Sequence, residues 1–320
     1  MPNSRRSRTV TFFEMVQDKE EASRLPEQDW GAILRRVQAR DASGRIVRHG
    51  EDSLIGTTDP ANPAQHLLLA RTTGTVPRLL NRGSGSLADL QIAADDEVVD
   101  VTAICFLGYG NIIGVLPAGP GAPRVTAITR WLNGASVLPS DVRLQPVITA
   151  RAREKLQRVE AVGQLTVRLQ LPPADSSTAL RAESELGSAL QHLSAARPDT
   201  EIVLTLKVPH RPGRDGLLHR NRARTALRRD ALSFQEDLNE WLNNTDAVVA
   251  ANARVWLRGE GERLESEAVD FVAQRITAKC RIPIHLTSGR SVDLGFAIRA
   301  VEEAARTHER ELREAVGADR

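Results

Sequence analysis

EVVDVTAICFLGYGNIIGVLPAGPGAPRVTAITRWLNG, residues 97–134, sets the fold class. Two runs rich in Val and Ile, EVVDVTAICFL and NIIGVLP, read as strands. The GYG at 108–110 between them suits a tight connection whose glycines supply positive φ. PAGPGAP at 117–123 breaks the second strand. Arg124–Asn133 then repeats apolar residues at helical spacing and stops before Gly134, in the place of a C′ glycine. GPGAP is no phosphate loop: it lacks the GK[ST] ending, and proline has no amide to donate. Strand, strand and helix in direct succession place the chain in the α+β class, with mixed sheets and flanking helices.

Upstream, Thr9–Met15 reads as a strand after a polar, basic lead-in at 1–8 (Arg5, Arg6, Arg8) expected to be flexible. Gln28–Arg40 places Trp30, Ile33, Leu34 and Val37 on one helical face and Arg35, Arg36 and Arg40 outward. Arg45–Arg48 with Ser53–Ile55 forms a short hairpin, Pro60 and Pro63 mark a turn, and Gln65–Thr72 is a buried strand. RGSGS at 82–86 is the clearest flexible loop.

Downstream, the pattern predicts a strand at 141–150, a short helix at 151–158 and a long alternating strand at 159–171. A helix at 176–196 follows, capped by Ser177, with Leu180, Leu186, Leu190 and Leu193 buried. Strands are expected at 201–208 and 246–258, with the turn GEG at 259–261 after the second. A further strand ends in RIPIHL, and one long charged helix spans 292–316 with Leu294, Ile298, Val301 and Ala305 inward. The lobes are expected at 1–155, with helix 290–316 packed on it, and at 156–260, followed by a C-terminal strand and helix in 261–320.

Composition narrows the function classes. A 320-residue chain with 41% hydrophobic residues has material for a real core and is not disordered. Aromatics make up only 3%, which argues against a base-stacking single-strand binder. Cys105 and Cys280 both lie in apolar runs and read as structural thiols, which points to a cytoplasmic chain. No apolar run approaches a membrane span, and no cofactor or metal motif occurs.

The functional colour comes from KVPHRPGRDGLLHRNRARTALRR, residues 207–229. Lys207, Arg211, Arg214, Arg220, Arg222, Arg224, Arg228 and Arg229 stand against Asp215 alone, a local charge of +7. The whole chain is +2, so everything else carries −5. A confined basic band on an otherwise anionic chain is the footprint of a polyanion site. From about residue 218 to 243, Ala223, Leu227, Ala231, Phe234, Leu238 and Trp241 fall at steps of three and four, so the band runs onto an amphipathic helix. Arginines around the first turns oppose the helix dipole by about 0.3–1 kcal/mol each, so stability alone does not favour them there. A solvated charged face and a module docking an acidic protein partner are the competing readings.

Catalytic signatures are scarce. HExxH, G-x-S-x-G, Walker A and paired CxxC are all missing from the sequence. Arg214 and His219 fit the R-x4–6-H pattern of HEPN-like ribonuclease toxins, and histidine is a plausible acid–base group. In so arginine-rich a chain, roughly two or three such matches arise by composition alone. The expectation is therefore a non-enzyme.

The order of segments resembles a known family. CFLGYGNIIGVLPAGPGAPRVTAITRWLNG (105–134) and VRLQPVITARAREKLQRVEAVGQLTVRLQLP (142–172) are similar to RexA, the sensor half of the temperate-phage Rex exclusion system. VLTLKVPHRPGRDG (203–216) and the C-terminal segments also sit where that family has comparable ones. The resemblance implies a sequence-independent double-stranded DNA-binding homodimer, prophage-encoded, that acts in anti-phage superinfection exclusion. It also implies a mixed α+β fold of two lobes and a membrane-embedded RexB-like partner. Lys207, Arg211 and Arg214 occupy the matching basic segment; Arg220, Arg222, Arg224, Arg228 and Arg229 rest on the charge argument.

Overall fold

A computed structural model describes residues 5–18, 24–49, 52–58, 65–72, 78–80, 87–89, 93, 96–119, 121–157, 159–170, 185–196, 201–208, 223, 225–227, 229–230, 241, 248–258, 264–270, 275–285 and 291–318. It is an α+β protein, as the strand–strand–helix run predicts. The chain divides into two compact units, Met1–Gln145 with Thr277–Arg313, and Pro146–Ile276 with Glu314–Arg320.

The first unit is built on one large sheet. Its path runs β15 (Ser291–Val292), β14 (Thr277–His285), β1 (Arg5–Gln17), β8 (Ile112–Pro117), β7 (Val99–Phe106), β4 (His66–Thr72), β3 (Asp52–Thr57) and β2 (Ile46–His49). β9 (Val142–Pro146) pairs with β1 off this path. The ladders of the main path are antiparallel. Two short strands, β5 (Arg78–Leu80) and β6 (Leu87–Asp89), pair separately. Residues 5–8 are thus no flexible lead-in: Arg5 to Arg8 pair with Pro283 to Cys280 and extend β1 towards the N-terminus.

Because side chains alternate along a strand, each central strand feeds two layers. Phe13, Met15, Ile104, Phe106, Ile113 and Val115 join one core with α1 (Trp30–Gln38) and α2 (Val125–Gly134). On the opposite face, Gly114 lies against Phe12 of β1 and Val301 of α5 (Leu294–Thr307), which packs on β7 and β8. Burying each such Val, Ile, Leu or Phe contributes about 1.5–3 kcal/mol, so the two-faced strands are the unit's main stabilisation. At Gly56 the Trp131 ring lies so close that an added Cβ would clash with its carbons. The same indole donates to the Arg45 carbonyl at 2.8 Å.

Several local expectations shift. α1 is capped by Asp29, whose carboxylate accepts the Ala32 N–H at 2.9 Å. Arg40, expected outward, instead donates to the carbonyls of Ala135 and Ser136 at the end of α2, where carbonyls left without intrahelical partners attract a cation. Gly134 is the last residue of α2, not a positive-φ stop; its bare Cα makes room for Val47, and Ser136 is the residue at φ 45°. In the β7–β8 connection Gly110 takes φ 61° and Asn111 φ 49°, while Gly108 does not. Asn111 is buried and donates to the Leu25 and Pro26 carbonyls, each at 3.0 Å, while its Oδ1 accepts the Gln28 N–H at 3.2 Å. One side chain thus ties the hairpin to the segment leading into α1.

The second unit carries an antiparallel sheet in the order β11 (Glu201–Lys207), β10 (Val159–Gln170), β12 (Val248–Arg258), β13 (Leu264–Asp270). One face holds Val162, Leu165, Val167, Leu169, Ala251, Ala253 and Val255. Leu190 of α4 (Glu185–Ala196), Leu227 and Trp241 cover it. Leu193, expected in the buried face of that helix, is 47% exposed. Ser177, Leu180 and the 259–261 turn lie outside the described residues, as do Pro60, Pro63 and RGSGS.

The boundaries differ from 155 and 260. The strand expected at 141–150 ends at Pro146, and α3 (Ala150–Gln157) belongs to the second unit. β13 pairs with β12 in that unit, whereas β14 returns to β1 in the first. The C-terminal helix is broken at His308 into α5 and α6 (Glu309–Val316). Ile298, Val301 and Ala305 are buried as expected, and Leu294 is half-buried.

Candidate nucleic-acid interface

Lys207 ends β11, and its side chain is exposed. The alternation EIVLTLK makes it so: Ile202, Leu204 and Leu206 turn to the core while Glu201, Val203, Thr205 and Lys207 face outward.

Residues 223, 225–227, 229–230 and 241 are helical, in line with an amphipathic helix through the arginine-rich stretch. Leu227 and Trp241 occupy the core as the apolar stripe requires; Ala223, placed on that stripe by the spacing, is exposed. Arg229 leaves 83% of its side chain open, and its Nε lies 3.7 Å from Asp230 Oδ1. An exposed pair at that distance contributes little, so Arg229 remains available to another anion. Arg211, Arg214, Arg220, Arg222, Arg224 and Arg228 lie outside the described residues, with His210 and His219. Lys207 and Arg229 reach the surface from different elements, a sheet edge and a helical stretch.

Sequence reasoning about the basic band missed the strand beside it. Gln164, Thr166 and Arg168 of β10 stand on the face opposite the core, paired with Lys207, Thr205 and Val203. Gln164 Nε2 donates to Thr166 Oγ1 at 3.3 Å, and Thr166 and Thr205 share a hydroxyl contact at 3.4 Å. Arg168 Nε is 3.6 Å from Glu201, with both side chains about half exposed. The signal was the polar alternation of GQLTVRLQ, readable as an open sheet face.

Other reactive groups are quiet. Cys105 and Cys280 are free thiols. Burial, with Glu302 nearby, pushes the Cys105 thiol far up; its Sγ donates to the Ile298 carbonyl at 3.8 Å, so it is no ready nucleophile. Burial also raises the Cys280 thiol. Arg275, buried in the second unit, is pushed down by desolvation to about 10 and stays cationic at neutral pH. Among the described residues no group of three or more His, Cys, Asp or Glu could hold a metal. No described helix is long and apolar enough to cross a membrane.

The architecture defines an α+β protein of two units. No protein-family model matches the chain, and neither the curated proteins nor the solved structures give a match. The resemblance to RexA therefore rests on the quoted segments alone.

Proposed function

We propose that the protein binds duplex DNA through backbone phosphates, with little sequence preference, as a homodimer in the cytoplasm. The observation that carries this reading is the confinement of charge: +7 in residues 207–229 against −5 in all the rest. Lys207 and Arg229, the members of the band within the described residues, support it by being exposed. Polyphosphate is the partner whose charge density such a band neutralises, and contact through phosphates leaves base sequence unread. The polar face of β10 and β11, with Arg168 and Lys207, offers further hydrogen-bond donors to phosphate or sugar. A role as a prophage-encoded exclusion sensor, working with a membrane-embedded partner, is the setting that the RexA resemblance suggests.

The test is a salt titration of binding to unrelated duplexes, with single-stranded DNA and RNA alongside. If six of the eight cations in each subunit reach phosphates, log K against log salt falls with a slope of about −5 per subunit. Equal affinities across sequences and that slope support the reading. A slope near −1, or no shift at moderate salt, removes it.

A further inference from the structure

β11 forms an outer edge of the second unit's sheet, and among the described residues no strand pairs with its far side. We propose that this edge pairs with the same edge of a second copy of the chain, joining the two sheets into one. The inference gives an interface to the homodimer proposed above and does not depend on DNA.

The register settles which groups face outward. Val208 donates its N–H to the Gly163 carbonyl at 2.9 Å, and the β10–β11 ladder runs without a shift from Gln164↔Lys207 to Gln170↔Glu201. In an antiparallel ladder hydrogen-bonded pairs alternate with non-bonded ones. Leu206, Leu204 and Ile202 therefore spend their N–H and C=O groups on β10. Glu201, Val203, Thr205 and Lys207 point theirs away from it. The side chains of those four residues are exposed, Val203 by 52%.

Exposed edges are usually blunted by a proline, a bulge or a charge in mid-strand. EIVLTLK has none of these; its charges stand only at the two ends, with opposite sign, equally far from Leu204. Two-fold antiparallel pairing must match outward-facing residues with one another. That fixes the axis on a residue and not between two. With the axis at Leu204, Glu201 meets the partner's Lys207 and Val203 meets the partner's Thr205, each twice by symmetry. About eight main-chain hydrogen bonds form. Moving the axis to Val203 or Thr205 leaves about six of those hydrogen bonds and separates both charge pairs. The strand is thus complementary to itself in one register, as a two-fold interface requires.

Sedimentation equilibrium of the full chain without nucleic acid tests this. Wild type is expected at twice 35.0 kDa. Val203→Pro removes only an outward N–H, so it should run as a monomer with an unchanged far-ultraviolet spectrum. Glu201→Lys and Lys207→Glu, made singly, each set like charges opposite one another and should weaken the dimer about tenfold or more at low salt. The double exchange Glu201→Lys with Lys207→Glu should restore it. A monomeric wild type, a folded Val203→Pro that stays dimeric, or a double exchange no tighter than the single ones would each overturn the proposal. Since no DNA is present, a failure here leaves the salt titration to judge DNA binding separately.

Discussion

Replacing Asn111 by alanine should open the first unit far more readily than the loss of one surface amide would. Its side chain makes three hydrogen bonds, two to the carbonyls of Leu25 and Pro26 and one from the Gln28 N–H. Each contributes about 1 kcal/mol net, and a buried group left without its partner costs more. Asn111 also holds φ 49°, a conformation that costs alanine a further 1 kcal/mol or so. The expected total is about 3–5 kcal/mol. Glycine at the same position loses the hydrogen bonds but not the backbone freedom, so Asn111→Gly should cost about 1 kcal/mol less than Asn111→Ala. The buried thiol of Cys105 in the same unit reports opening directly. In native buffer its labelling by a thiol reagent, read by peptide mass, should speed up at least a hundredfold or so in Asn111→Ala, since 1.4 kcal/mol is tenfold in an opening equilibrium. A rate within about fivefold of wild type would show that the three hydrogen bonds do not hold the hairpin to the segment before α1.

Other outcomes follow from the same geometry. Gly56→Ala would drive a methyl into the Trp131 ring; it should cost about 1–3 kcal/mol or more and lower the melting temperature, while a neutral result would mean that the ring moves freely. Tyr109 is the chain's single tyrosine, so phenolate absorbance reads it alone; burial first, then Glu309, lift it to about 12 against the opposing pull of Arg313, whose guanidinium lies over its ring. The unfolded phenol ionises near 10, so the stabilisation from this group is complete below pH 10 and lost as pH rises towards 12; a titration midpoint near 10 would contradict the packing. Reversing Arg220, Arg224 and Arg228 together should weaken DNA binding equally across sequences and lower the salt slope by about 1 for each lost contact. Unchanged affinity would leave the helix arginines without the proposed role.

Much of the fold was legible because apolar periodicity is a local signal. The Val- and Ile-rich runs of Val99–Phe106 and Ile112–Pro117 and the alternation in Val159–Gln170 and Glu201–Lys207 gave the strands, and the steps of three and four in α1 and α5 gave their buried faces. What escaped was set by partners distant in sequence. Arg5 to Arg8 look like a polar tail until residues 280–283 supply the neighbouring strand. Gly134 resembles a helix stop because the spacing cannot show Val47 pressing on its Cα. Asn111 takes the left-handed turn because its amide finds carbonyls more than eighty residues away in sequence, which no turn rule encodes. Of the basic band, the sequence gives charge and helical phase. Lys207 and Arg229 are the members that can be placed on the fold, while the open face of β10 had to be read from strand alternation and not from charge.

The β1–β14 ladder joins residues 5–11 to 277–283, with residues 146–276 of the second unit strung between them. At the ribosome this imposes an order of assembly. β1 emerges before its β14 neighbour, and the face that α5 covers stays bare until residues 294–307 have followed. The inserted unit has its own core and can settle first. Within it the Ile276 N–H donates to the Val147 carbonyl at 3.0 Å, which holds those two segments of the unit side by side. The β1–β14 ladder is then a closure over a long sequence separation, a kind of contact that forms slowly.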